Sequence, residues 1–537
     1  MKKIFLGHII TMNKNQPEAE AIVTYNNHII YVGSKKTALQ WFGSSEIVDY
    51  SDYYIYPGFM EPHCHPTLAG DRLRFQIDLS SCKSFEECAE AVKQYIQEHP
   101  EQVIYKGSGW GADLGEPTAQ MLDSFSEETP IILNDEGGHA MWLNTVAMNI
   151  FHIDHAATKK YGGDCIKVDD NGNPTGMIAE SVTTPILSEL FPLGKDLEEA
   201  LLSWQDFAIN KGYTAVADAS VVFDPKFLSA YADLAASDKL KLRTRGMLVV
   251  NDTIKNPEAF LKESKHYINS IENDYFKMNS IKVFLDGVVE AHTAWLLNEY
   301  CDTPGDTGVQ RFKYRNKLSK FVKEAAKNGW ATHFHCIGDA ATNFALDAIN
   351  KNSTLLKEKD IRCEIAHLQL VDEQDISRFS EANTIAVVPP LWAPNGPDNY
   401  FEQEIQYLGA KRAESSYPVK SFIDNNAMIL FHSDYPCSKE IDIPKTLYAA
   451  VTRTLPGKGF TAVGKKETVT MQEALEAMTI NVAKAWKEDN KFGSIEQGKI
   501  ANFTVFDKNF LTCKKSEICK AKLIDTIIDS ESLIKAD

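Results

Sequence analysis

The chain has 537 residues, of which 44% are hydrophobic and 24% charged, with a formal net charge of −18. That length exceeds what one simple core serves and implies two or three structural units. The acidic balance leaves no excess of Lys or Arg to neutralise phosphates, which argues against nucleic-acid partners and fits an enzyme of small molecules.

The opening "MKKIFLGHII" imitates a signal peptide only briefly. Its apolar run is short, contains His8, and passes into "TMNKNQPEAE" without a small-residue cleavage site. No run of about 18 apolar residues occurs anywhere, so no membrane span is expected. Ten cysteines are scattered without zinc-ribbon spacing or a disulfide framework, and read as free thiols of a cytoplasmic protein. Residues 3 to 50 are short strands and turns, with "NN" in "AEAIVTYNNHIIYVG" as one turn. An extended apolar run, Tyr53 to Met60, then ends in "EPHCHP", which carries His63, Cys64 and His65.

Residues 70 to 199 are far too long for a loop. They contain strand-like "QVIYKGSGW" and "TPIILNDEGG" and helix-like "SFEECAEAVKQYIQEH", and are expected to form an inserted subdomain. From about residue 200 to 480, short apolar strands alternate with amphipathic helices such as "KLSKFVKEAAKNG". The strands are "YTAVADA", "TRGMLVV", "SIKVFLDG", "WATHFHCIGD", "RCEIAHLQL", "TIAVVPP" and "AMILFHSD". With the strand ending at His63 they make eight, and β-α alternation of that length predicts an α/β fold, a parallel (β/α)8 barrel of the TIM type. The inserted subdomain is expected to lie over the mouth of this barrel. The C-terminal "FGSIEQGKIANFTVFD" returns to the β-rich texture of the N-terminus.

Barrel enzymes carry their chemistry at the carboxyl ends of the strands. Those positions here hold His63 and His65, then Lys282, His335, His367 and Asp434. Four imidazoles and a carboxylate are ligands for zinc and related divalent metals. Residues i and i+2 of an extended segment share a face, so His63 and His65 point inward together and Cys64 points into the wall as a small apolar filler. His333 shares a strand face with His335 and competes with it. A lone buried histidine is more often a hydrogen-bonded core residue, but such residues have no reason to fall at successive strand ends. Trp110, Trp142 and Trp392 are candidates for an apolar substrate pocket, although tryptophans in a barrel more often pack. "GSGWGADLG" lacks the strand–GxGxxG–helix context of a nucleotide site.

"PGFMEPHCH" resembles the "PGFxDxHxH" opening of the amidohydrolase superfamily, with Glu61 where Asp is commoner. "IKVFLDG", "HCIGDAA", "IAHLQLV" and "HSDYPC" resemble successive motifs of its YtcJ-type branch, amidohydrolase family 3. So do "GWGADLGEPTAQMLD", "GGHAMWLN", "GNPTGMIAE" and the late "MTINVAKAW" with "GSIEQGKIANFTVFD"; "HSDYP" departs from the pattern, where a small residue more often precedes "SD". The resemblance implies a barrel over 56–69 plus 200–484, a composite β-sandwich from 1–55 plus 485–537, and the insertion 70–199. It also implies one or two divalent metal ions, zinc foremost. In a binuclear member His63, His65 and Asp434 hold one metal, His335 and His367 the other, and Lys282 bridges them as an N-carboxylysine. A free ammonium cannot ligate a cation, so Lys282 fits only if modified or deprotonated; otherwise it salt-bridges Asp434 or Asp286 in a site with fewer metals. His139 matches the branch's "GHxxxxN" stretch and is expected to contact substrate or stabilise an oxyanion. Asp434 is the expected general base for a metal-activated water. The implied reaction is hydrolysis of a non-peptide C–N bond in a small N-acyl or N-formyl amide, by a homodimer. A lactonase or cyclic-amide hydrolase on the same site, or a non-catalytic metal barrel, are the alternatives.

Overall fold

A computed structural model of the chain describes residues 1–111, 117–135, 140–162, 165–179, 182–396 and 400–534. The central sheet has eight strands: β1 (Phe59–Cys64), β2 (Tyr213–Val221), β3 (Arg243–Val250), β4 (Phe276–Phe284), β5 (Ala331–Cys336), β6 (Glu364–His367), β7 (Ile385–Val388) and β8 (Met428–Phe431). They pair in chain order, and every pairing is parallel. Beyond the two outer strands, the N–H of Asp434 donates to the His63 carbonyl at 3.1 Å and that of His65 to the Tyr435 carbonyl at 2.8 Å. The sheet is therefore a nearly closed TIM-type barrel, as the β-α alternation predicted.

The strands form because they are continuous runs of Val, Ile, Ala and Phe, buried on both faces as parallel strands must be. The helices between them start where the chain supplies caps. Asp224 and Asn256 accept N–H groups of the first turns of helices Pro225–Ala236 and Pro257–Ile268, each with proline opening the helix. Met60, Ala215, Met247, Ala366, Val387 and Leu430 fill the barrel interior together with Val482 and Trp486.

Strands from both chain ends share a seven-stranded sheet: Lys2–Ile10, Glu18–Tyr25, His28–Gly33 and Glu46–Pro57, with Phe503–Phe506, Leu523–Ile528 and Glu531–Ser532. It is one continuous sheet, with Phe5, Ile22 and Phe503 buried on one face and Ile4, Leu6 and Val23 on the other. The run Tyr53 to Met60 is not one strand. It divides at Gly58, with residues before it in this sheet and those after it in the barrel. A Cβ at Gly58 would collide with the Thr214 side chain, so the crossing requires glycine.

By contact, Met1–His65 and Gln205–Asp537 form one compact unit and Pro66–Trp204 a second. The insertion thus begins directly after His65, and the chain ends and the barrel are one body. The second unit has its own sheet of six strands, from Gln76–Asp78 to Pro174–Ala179, around a core that includes Ile131, Leu133, Trp110 and Trp142. Among the described residues no helix is long and apolar enough to cross a membrane.

Candidate metal centre

The carboxyl ends of β1, β6 and β8 bring together His63, His65, His367, His432 and Asp434, all buried. Two overlapping groups have ligand atoms mutually within 4.8 Å: His63, His65 and Asp434, and His367, His432 and Asp434. Nε2 of His63 and of His65 lie 3.0 and 3.2 Å from Asp434 Oδ1. Neither is aligned to donate, and Oδ1 has no hydrogen-bond partner among the described residues. Nδ1 of His367 and both ring nitrogens of His432 are equally unpartnered there. Buried polar atoms are nearly always paired, and four orphans within one small space are a strong exception. Electron-rich atoms of His and Asp turned toward one another suit a divalent cation, so the donor set fits the expected metal.

The surroundings hold these rings in place. Glu364 Oε2 accepts from His333 Nδ1 at 2.6 Å, and His333 Nε2 faces His63 Nδ1 at 2.8 Å. That chain makes His63 Nδ1 the donor and leaves its Nε2 an acceptor lone pair that faces Asp434 Oδ1 and the Lys282 amine, the usual role of groups behind a metal-bound histidine. Burial pushes the Glu364 carboxyl up to about 8, opposed by the Lys282 cation. Burial also keeps His63, His333 and His367 neutral by lowering their pKa values far below the ordinary range. On the other flank His65 Nδ1 is 3.0 Å from the Ser220 hydroxyl of β2. Burial alone would raise the pKa of Asp434, but the imidazoles of His367, His65 and His432 around it hold the carboxyl well below its usual value. Backbone strain accompanies the site: His367 and Asp434 have φ of 76° and 60°, in the left-handed region that side chains avoid.

Glu61 ties the opposite ends of the sheet. Its Oε1 accepts the His63 N–H and its Oε2 the Ser433 N–H, each at 3.0 Å. The longer side chain at the position where Asp is commoner spans β1 to β8. Lys282 Nζ lies 3.1 Å from His63 Nε2 and pairs with neither Asp434 nor Asp286. Burial pulls its pKa down to about 8, and Asp434 moderates the shift. Asp286 is committed to structure, accepting the N–H groups of Trp295, Ile337 and Gly338.

The expected residues fall into place unevenly. His63, His65, His367 and Asp434 converge, with Lys282 beside them. His335 is at the site, its ring 4.4 Å from that of His367, but its Nε2 is 3.2 Å from the Gly287 carbonyl and it belongs to neither donor group. His333, the competitor of His335, lies one layer behind, between Glu364 and His63. Trp392 stacks parallel on His367 at 5.5 Å, with its N–H donated to the Ser438 hydroxyl. Trp110 and Trp142 are corrected from pocket candidates to packing residues. Both are buried in the core of the insertion, with indole N–H groups donated to the carbonyls of Leu133 and Thr118. His139 lies outside the described residues. Sequence reasoning missed His432, although two signals marked it: it sits at the end of β8, and it fills a place where a small residue is usual. Cys64 turns into the wall, its thiol donating to the Ala217 carbonyl at 3.3 Å.

An eight-stranded parallel barrel with a His/Asp cluster at the carboxyl ends of its strands defines the metal-dependent hydrolase class of that fold. The amidohydrolase family model matches residues 46–534, and the chain belongs to that family. Several relatives extend over nearly all of it. The putative amidohydrolase YtcJ of Bacillus subtilis is 24% identical, covering 98% of both chains. The N-substituted formamide deformylase of Arthrobacter pascens is 23% identical over 98% of this chain and 97% of its own. Protein LONG AFTER FAR-RED 3 of Arabidopsis thaliana is 27% identical over 94% of this chain and 86% of its own. A crystal structure of an uncharacterized metal-dependent hydrolase from Pyrococcus furiosus has the same fold, with a TM-score of 0.77 at 24% identity, covering 95% of this chain and 100% of that one.

Proposed function

We propose that this protein hydrolyses a non-peptide C–N bond in a small N-acyl or N-formyl amide. The observation that carries the reading is the set of four unpartnered buried atoms on His367, His432 and Asp434, gathered at the carboxyl ends of barrel strands. The full-length likeness to a formamide deformylase supports the N-formyl choice. Zinc suits the donors, which are imidazole nitrogens and one carboxylate. Bound there, a divalent ion polarises a carbonyl and acidifies water.

The chain's own residues do the rest. Asp434, kept ionised by its imidazole neighbours, takes a proton from the water that attacks the carbonyl carbon. It returns that proton to the amide nitrogen as the C–N bond breaks, leaving a carboxylic acid and an amine. The Glu364–His333 pair keeps His63 Nε2 unprotonated throughout. Lys282, with its pKa near 8, exposes part of its amine unprotonated at neutral pH. That form adds to CO2, losing a proton, to give the carbamate that serves as an anionic ligand.

Metal analysis of the purified protein tests the centre. The wild type is expected to carry at least one equivalent of divalent metal and Asp434→Ala to lose it; fewer than about 0.5 equivalents in both would reject the reading. With metal present, N-formyl and N-acyl amides are expected to turn over, whereas hydrolysis of lactones and esters alone would reassign the bond.

A further inference from the structure

The alternation of β8 turns His432 into the barrel. Leu430 belongs to the barrel interior, and the His432 N–H continues the strand by donating to the Val388 carbonyl at 3.1 Å. Residues i and i+2 of an extended segment share a face, so His432 follows Leu430 inward. It is 2% exposed, with its ring 4.9 Å from that of His63 and 5.0 Å from that of His367. Neither of its nitrogens has a hydrogen-bond partner among the described residues. An imidazole buried without partners costs free energy that a small apolar side chain would not. Its placement supplies a reason for the cost. A ligand atom of His432 lies within 4.8 Å of ligand atoms of both His367 and Asp434.

His335, the residue expected to work with His367, is placed differently. Its Nε2 is turned to the Gly287 carbonyl at 3.2 Å, and it belongs to neither donor group. The two groups share only Asp434, so each has two imidazoles of its own beside the common carboxylate. Two imidazoles and a carboxylate are a sufficient protein ligand set for a catalytic zinc, with a further position left open.

We propose that His432 is a metal ligand, the partner of His367 in a second cation position, in the role expected of His335. The inference rests on the metal-dependent reading of the site and is independent of which bond is hydrolysed. Asp434 serves both positions, and His63 and His65 complete the first.

Cobalt(II) chloride added to the metal-free protein counts the positions without relying on turnover. Wild type and His335→Gln are expected to take up about two equivalents, and His432→Gln about one. His432→Cys gives a signal that is gained rather than lost. A thiolate bound to cobalt produces a near-ultraviolet charge-transfer band, expected in this variant and absent from wild type. Circular dichroism of the metal-free proteins checks that each variant is folded. About one equivalent in wild type would overturn the second position and leave the metal-dependent reading intact. Two equivalents retained by folded His432→Gln, or no thiolate band in folded His432→Cys, would overturn the role of His432. Loss of the second equivalent in His335→Gln but not in His432→Gln would return that role to His335. If wild type binds no cobalt, the metal centre itself is rejected and this inference falls with it.

Discussion

At the scale of single residues, the decisive distinction is between side chains with partners and side chains without them. His432 has neither ring nitrogen hydrogen-bonded among the described residues, although it is buried. His432→Asn is expected to weaken metal retention by about tenfold or more in a chelator competition, comparable to loss of a ligand or its direct support. Cys64 is the opposite case, since its thiol is already committed to the Ala217 carbonyl. Cys64→Ala is expected to leave metal content unchanged and to lower stability by about 1 kcal/mol, whereas His63→Ala loses the metal. Glu404 supplies a pH dependence. Its pKa rises from 4.5 to about 8 on folding, because of burial first and Glu290 second. The folded state thus holds a proton that the unfolded chain has released, and this contribution favours folding below 4.5 and is lost as the pH climbs to about 8. Melting curves of wild type and Glu404→Gln should therefore differ most in slope between those values, with the wild type losing relative stability as pH rises. Parallel pH profiles would count against it.

At the scale of elements, the site exists because β1 and β8, far apart in sequence, are held at the same height. Glu61 provides that link, one carboxylate oxygen to the backbone of His63 and the other to that of Ser433. Glu61→Gln replaces one acceptor by a donor facing an N–H, and is expected to cost about 1–3 kcal/mol and to loosen metal retention, read as a lower melting temperature and faster metal loss to a chelator. The elements themselves were readable in the chain. Each of the eight barrel strands was marked by a short β-branched or apolar run bounded by turns, and the amphipathic spacing of "KLSKFVKEAAKNG" announced helix Arg315–Lys327. The break at Gly58 was not readable, because an unbroken apolar run does not reveal that Thr214 approaches one of its positions. Nor did the run of strand ends distinguish His335, which turns to the Gly287 carbonyl, from His432, which turns to the cluster.

At the scale of the whole molecule, the barrel and both chain ends are a single compact unit. Ion pairs join them: the buried pair of Arg245 of β3 and Glu488 at 2.6 Å, and Arg243 with the half-buried Asp529 at 2.7 Å. Arg245→Met would leave Glu488 buried with only its weaker contacts to Lys277 and Lys491. The expected cost is about 3–5 kcal/mol, seen as a lower denaturant midpoint with the metal site affected only through unfolding. A midpoint equal to the wild type would show the pair to be dispensable.

What the sequence by itself determined was the barrel and the family; it also pointed to an insertion over 70–199 and named His63, His65, His367 and Asp434 as candidate ligands. Periodicity and local motifs encode these directly, since they depend on neighbours along the chain. Only the tertiary structure decided that His432 joins the cluster, and that Trp110 and Trp142 serve the insertion's core while Trp392 faces His367. Those outcomes depend on which atoms residues distant in sequence leave unpaired, and hydrogen-bond partnership across a fold has no local signature in the chain.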